Sequence, residues 1–265
     1  MAKSGAGVVW GAAAIVVCSV LTACGGSDQH AGHTTVTPNP SRALTSTAPQ
    51  PSSTIDRTTT PAATAPVGEV PGNPAAAAAL RPWVADLLAG DLDTLVRKCW
   101  TIEPGNARAM YADEDAILAA VAEPGIDGQF AVLWKGPAVT VSVKRTEIAS
   151  GYACPRVAPT GSAMNYNEAD AAYAVHRYLS RFIGKPVNPA DTEGAYPLVC
   201  PGSVLANNPG RLTGTTAFAA PTATRTDLGT AEVTVPVTNS SNVTQPVTFL
   251  LAVASEGYCL TDIRV

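Results

Sequence analysis

Histidine is nearly missing from this sequence. His30, His33 and His176 are the whole supply among 265 residues. A general base or a metal centre built on imidazole therefore has little to draw on. No G-x-S-x-G, H-E-x-x-H, G-x-G-x-x-G or Walker A sequence occurs, so no motif announces acyl transfer, zinc hydrolysis, dinucleotide binding or nucleotide binding. Basic runs are missing too. With Lys3, Arg42 and Arg57 set aside, the 17 Lys and Arg fall to 14; without Asp28, Asp56 and Glu69 the 21 Asp and Glu fall to 18, so residues 73–265 carry the whole net charge of −4. Nucleic acid is excluded as the expected partner, and no cofactor is expected.

Large apolar side chains are scarce from Gly25 to about Gly72, where Thr, Ser, Pro, Ala and Gly dominate. Segments such as Ser41 to Pro51 and Ser52 to Pro66 cannot bury enough surface to offset ordering entropy, which predicts a disordered tether. As a flexible coil it would span roughly 35–40 Å root-mean-square. Asp28, His30 and His33 cluster within it, and His-x-x-His spacing can supply two imidazole ligands. Nothing beside them orients the rings, so they are read as solvated and no metal site is assigned.

Cysteine, by contrast, is placed with some order. Lys3 gives a positive start, Val8 to Val20 an apolar run too short to span a bilayer, and small residues lead to Cys24. Leu21-Thr22-Ala23-Cys24 resembles the lipobox of bacterial lipoproteins: an aliphatic residue, two small ones and a cysteine. The resemblance implies a signal peptide over 1–23, a diacylglycerol thioether on Cys24, cleavage before it, and a lipid-anchored location on the extracytoplasmic face of the cell membrane. Several acyl chains are needed for a stable anchor, since each buried methylene contributes about 0.8 kcal/mol and one chain holds marginally. Cys18 leaves with the signal peptide. The abundance of Ala, Val, Thr and Pro, with Arg outnumbering Lys, is similar to mycobacterial and related actinobacterial lipoproteins, in which such tethers can carry O-linked sugars. Asn239 and Asn242 open N-x-[ST] sequons, which have little meaning in that setting.

Residues 73–265 suffice for one ordinary domain or two small ones. Asn73-Pro74 reads as a helix start. Leu80, Trp83, Val84, Leu87 and Leu88 then recur at helical spacing around a Pro82 expected to kink or restart the helix, and Gly90 ends it. Asp91 caps a second helix and Asp113 opens a third, which closes at Glu123-Pro124-Gly125. The period then changes to two: Gln129 to Trp134 and Ala138 to Ile148 read as a hairpin around Lys135-Gly136-Pro137, with Val139, Val141 and Val143 alternating against Thr140, Ser142 and Lys144. Asn167 caps another helix with Ala171, Val175, Tyr178, Leu179 and Phe182 inward. Strands are expected at about Arg211 to Ala219, Thr230 to Thr238, Val243 to Ala254 and Tyr258 to Val265.

Gly151-Tyr152-Ala153-Cys154 is echoed by Gly257-Tyr258-Cys259. Each half thus has helices, a cysteine, strands and a closing Gly-Tyr with cysteine. That order resembles the NTF2-like fold and implies an α+β chain of helices packed on curved antiparallel sheets. The expected organisation is two NTF2-like units, 73–160 and 161–265, each with an internal disulfide, with a single mixed domain as the rival. After export an even set of cysteines favours disulfides. Two repeated units pair Cys99 with Cys154 and Cys200 with Cys259; a single domain pairs Cys99 with Cys259 and Cys154 with Cys200.

Two functions follow. The first is a non-enzymatic binding or interaction module, for which the NTF2-like resemblance implies an apolar ligand or an envelope protein as partner. The second is a small enzyme using such a pocket, with His176 as acid or base and a carboxylate within hydrogen-bond reach of it.

Overall fold

The first helix forms where alanine, leucine and tryptophan recur on one face. Helix α1 (Pro74–Leu88) buries Ala76, Ala77, Leu80, Trp83, Val84 and Leu87, a stripe with helical period. Asn73 occupies the N-cap position, but its side chain turns to Asp127 instead of capping the helix. Pro82 neither stops nor restarts α1. It lies on the exposed face, and the carbonyl it leaves without a donor belongs to exposed Ala78, where water can satisfy it. This computed structural model describes residues 65–206 and 210–265.

Three short helices follow. Asp91, Glu103 and Asp113 each accept a backbone N–H three residues on, opening α2 (Leu92–Lys98), α3 (Pro104–Met110) and α4 (Glu114–Ala122). Strands β1 (Ile126–Asp127), β2 (Ala131–Lys135), β3 (Val139–Lys144) and β4 (Arg156–Pro159) form an antiparallel sheet in that order. The segment expected to prolong β3 to Ile148 is instead helix α5 (Arg145–Ser150), stopped by Gly151 at φ 79°, a left-handed position that suits glycine.

Helix α6 (Glu168–Phe182) opens with a reciprocal capping box between Asn167 and Asp170. It packs on a second antiparallel sheet of β5 (Thr215–Phe218), β6 (Thr222–Arg225), β7 (Thr230–Asn239), β8 (Thr244–Ala254) and β9 (Gly257–Arg264), in which β5 and β6 both pair with one edge of β7. The expectation of one strand over Arg211–Ala219 shrinks to β5. Gly210–Leu212 is a 3-10 turn.

The chain is therefore α+β, helices against antiparallel sheets. One core gathers Leu80, Trp83, Ile117, Val132, Trp134 and Val141; a second gathers Val175, Leu179, Val233, Phe249, Leu251 and Leu260. Cys99 is bonded to Cys154 and Cys200 to Cys259, so each disulfide closes within its own half. All described residues nevertheless belong to one compact unit. Arg156 of β4 forms a two-pronged ion pair with Asp170 of α6, and the Tyr173 hydroxyl donates to the Trp100 carbonyl at 2.7 Å.

The expected tether ends too late at Gly72. Val67 and Val70 are buried, the Gly68 N–H donates to the Val121 carbonyl at 2.7 Å, and the Trp134 indole donates to the Gly68 carbonyl at 2.9 Å. A Cβ on Gly68 would meet the Glu123 carbonyl oxygen at 1.8 Å, so only glycine fits there. Residues 65–72 thus pack as part of the fold. Among the described residues no helix is long and apolar enough to cross a membrane.

Candidate binding groove

The pleat of the first sheet divides its side chains between two environments. Val132, Trp134, Val141 and Val143 point into the first core. The alternate positions pair across strands as one row of Leu133, Ser142 and Arg156 and another of Ala131 and Lys144. These five residues form the floor of an open groove of about 610 Å³.

Its walls come from three connections. Gly128, Gln129 and Phe130 precede β2, Met164 and Tyr166 precede α6, and Val253, Ala254 and Ser255 lie at the tip of the β8–β9 hairpin. Phe130 is 58% exposed and Val253 36% exposed, so two of its apolar wall residues face solvent. The volume falls within the range of small-molecule sites, and the mostly apolar lining with a few polar groups has their usual character.

The polar end of the groove is organised around Tyr166. The Arg156 guanidinium lies 4.2 Å from the centre of its ring and the Lys144 ammonium 5.9 Å. Lys144 donates to the Glu256 carbonyl, and the Glu256 carboxylate accepts from the Thr146 hydroxyl at 2.7 Å. Arg156 is held by Asp170 at 2.9 and 3.1 Å. Gly257 allows the close approach, since a Cβ there would meet the Tyr166 ring at 2.9 Å.

Behind Lys144, Arg156 and Tyr166 lies a smaller polar cavity of about 40 Å³, also lined by Glu147, Arg177 and Tyr258. That volume suits a few waters rather than a ligand. The Tyr258 hydroxyl is buried there without a hydrogen-bond partner. Glu147 is buried as well. Desolvation raises its pKa above the ordinary carboxylate value, although Thr101, Lys144, the Cys154 N–H and Arg177 each favour the charged form.

His176 lies elsewhere. It sits half-buried on α6, stacked on Tyr173 at 6.0 Å and edge-on to Phe218 at 5.4 Å. Burial lowers its pKa. Glu103 lines the same shallow recess, but its carboxylate is taken up by the Asn106 N–H at 2.6 Å. Among the described residues no carboxylate hydrogen-bonds the imidazole, so the pairing an acid–base role requires is not assembled.

The four cysteines Cys99, Cys154, Cys200 and Cys259 form two disulfides and leave no thiol at the groove. Cys24, His30, His33, the signal peptide 1–23 and the tether up to residue 64 lie outside the described residues. Among the described residues no group of His, Cys, Asp and Glu is arranged to hold a metal ion. The groove residues were not singled out in the sequence. Lys144 reads there as the solvent-facing end of a strand, and only the opposing β8–β9 tip turns it into a groove residue. No family model, curated protein or solved structure matches this chain.

Proposed function

We propose that this chain is a cell-envelope lipoprotein, anchored by a lipidated Cys24 on the extracytoplasmic face of the membrane, whose folded part is a non-enzymatic binding module. The groove on the first sheet holds an apolar small molecule. The observation that carries the reading is a concave site of about 610 Å³ whose walls keep Phe130 and Val253 in contact with water. Leaving apolar side chains exposed around a concavity forgoes about 25 cal/mol for each Å² that a ligand would cover.

Within this reading the two halves are NTF2-like units. Support comes from helices opening each half ahead of its first strand and from a disulfide that closes each half on itself. Support for the anchor is the lipobox Leu21-Thr22-Ala23-Cys24 after a short apolar run.

Titration with the uncharged dye Nile red tests the groove. Saturable fluorescence enhancement is expected, weakened at least tenfold by Phe130→Asp; no enhancement, or enhancement indifferent to that substitution, refutes the site. The anchor is tested separately by metabolic labelling with a fatty-acid analogue, which Cys24→Ala should abolish.

A further inference from the structure

The charges around the groove are not evenly paired. Arg156 is neutralised by Asp170, and Arg145, near the Gly128 end, by Asp127 at 2.8 Å. Lys144 differs. Among the described residues it forms no ion pair with a carboxylate; its partners are the Glu256 carbonyl and the Tyr166 ring. An ammonium group carries three N–H donors, and a carbonyl acceptor leaves its charge uncompensated.

Glu103, Glu147, Asp170 and Glu256 line the cavity behind Lys144, and none of them forms an ion pair with it. Glu256 turns its carboxylate to Thr146. Glu147 lies on the buried side, where its carboxylate accepts from the Cys154 N–H at 3.2 Å and is not paired with the ammonium. One end of a mostly apolar groove is therefore cationic, while Phe130, Leu133, Met164 and Val253 supply the apolar remainder.

Resting on the reading of the groove as a ligand site, we propose that its occupant is a single-chain amphiphile with an anionic head. The tail lies against Phe130, Leu133, Met164 and Val253, and a carboxylate or phosphate oxygen accepts from the Lys144 ammonium. The charge complements an anion, and the low polarity of the walls strengthens that attraction relative to water. The site is concave and of small-molecule size, which fits a monomeric amphiphile rather than a bilayer surface.

The test is isothermal titration of the full mature chain with dodecanoate, dodecyl phosphate and dodecanol, all below their aggregation concentrations. A charge-assisted hydrogen bond corresponds to roughly tenfold or more in affinity. Dodecanoate or dodecyl phosphate should therefore bind about tenfold or more tighter than dodecanol, and the stronger of the two identifies the head group. Lys144→Met keeps much of the apolar stem and should remove that preference by weakening the acid and the phosphate at least tenfold; Lys144→Arg should restore it. Equal binding of acid, phosphate and alcohol overturns the anionic head and leaves the apolar groove standing. Failure of all three to bind overturns the groove reading itself. Binding to anionic phospholipid vesicles without binding to any monomer overturns the choice of occupant. The comparison of ligands on the unsubstituted chain decides the matter even if a Lys144 variant folds poorly.

Discussion

Strands β3 and β7 carry similar alternations of valine with small polar residues, and they end in different surroundings. In β7, Val233, Val235 and Val237 face the second core while Thr234 and Pro236 stand in solvent. In β3, Val141 and Val143 face the first core, yet Thr140 and Ser142 are buried too, at 8% exposure each. A one-sided sheet is what alternation normally encodes. The first sheet meets the second half where Lys144 reaches Glu256 and Arg156 reaches Asp170, and the groove lies beside that seam. The second sheet, in turn, keeps the outer face of β7 in solvent at Thr234 and Pro236.

The largest effects should come from the disulfides, which make the two halves look alike. Their sequence separations are 55 and 59 residues, so removing either bridge should cost about 4 kcal/mol in the chain-entropy model. Replacing both cysteines of each pair by alanine and comparing denaturant midpoints measures this; markedly unequal losses would break the parallel between halves. Non-reducing peptide mapping should join Cys99 to Cys154, and a Cys99–Cys259 peptide would contradict the pairing outright.

A smaller loss is expected at Asp191, which has no counterpart in the first half. Its fully buried carboxylate receives Arg177 and Arg181 together. Asp191→Ala leaves Arg177 buried without its counter-charge, while Arg181 keeps Glu193 and the Tyr196 carbonyl. The expected cost is about 3 kcal/mol, at the low end for a broken buried pair. Urea unfolding measures it, and a change under about 1 kcal/mol would mean that water reaches Arg177.

The entry segment belongs to the first half alone. A chain beginning at Asn73 lacks the buried Val67 and Val70 and the Gly68 carbonyl that receives Trp134. Relative to one beginning at Ala65 it should lose about 2–3 kcal/mol, the gain from two buried valines and one hydrogen bond being partly offset by the entropy of ordering the segment. Equal melting of the two chains would return residues 65–72 to the tether.

The smallest effect concerns Glu147 at the seam. Burial holds its pKa above the ordinary value of 4.5, so the folded protein keeps this proton to higher pH than the unfolded chain. Its favourable contribution is complete below that ordinary value and declines as pH rises through the folded one. Glu147→Gln is neutral throughout and retains an acceptor for the Cys154 N–H. Its stability relative to the parent should therefore improve on going from about pH 4 to about pH 8. Melting at both ends of that window checks the sign. A relative loss instead would show that Lys144 and Arg177 hold Glu147 ionised.

Where the chain carries its own stop and start signals, the elements were legible. Asn167 with Asp170 opens α6, Asp91 and Asp113 cap α2 and α4, and Gly90 ends the first helical stretch at φ 71°. The shortest elements were not. Helix α3 buries only Ala107, and β1, β4 and β6 are two to four residues long, too short to display a period. Arg145–Ser150 continues the strand pattern in sequence, with Thr146 and Ile148 both β-branched. It becomes a helix because it packs on α1 and inserts Glu147 into the seam, a case of tertiary packing overriding propensity.

The sequence by itself determined the α+β order, the caps at Asp91, Asp113 and Asn167 and the turn at Asn239 to Asn242, because each rests on contacts between residues near in the chain. Only the tertiary structure decided which cysteines meet, that Val67 and Val70 join the core, and that Lys144 shares a groove with Phe130 and Val253. The physical reason is distance along the chain. Lys144 meets the Glu256 carbonyl across 112 residues, and no local pattern of charge or hydrophobicity records which distant strand tip will close over it.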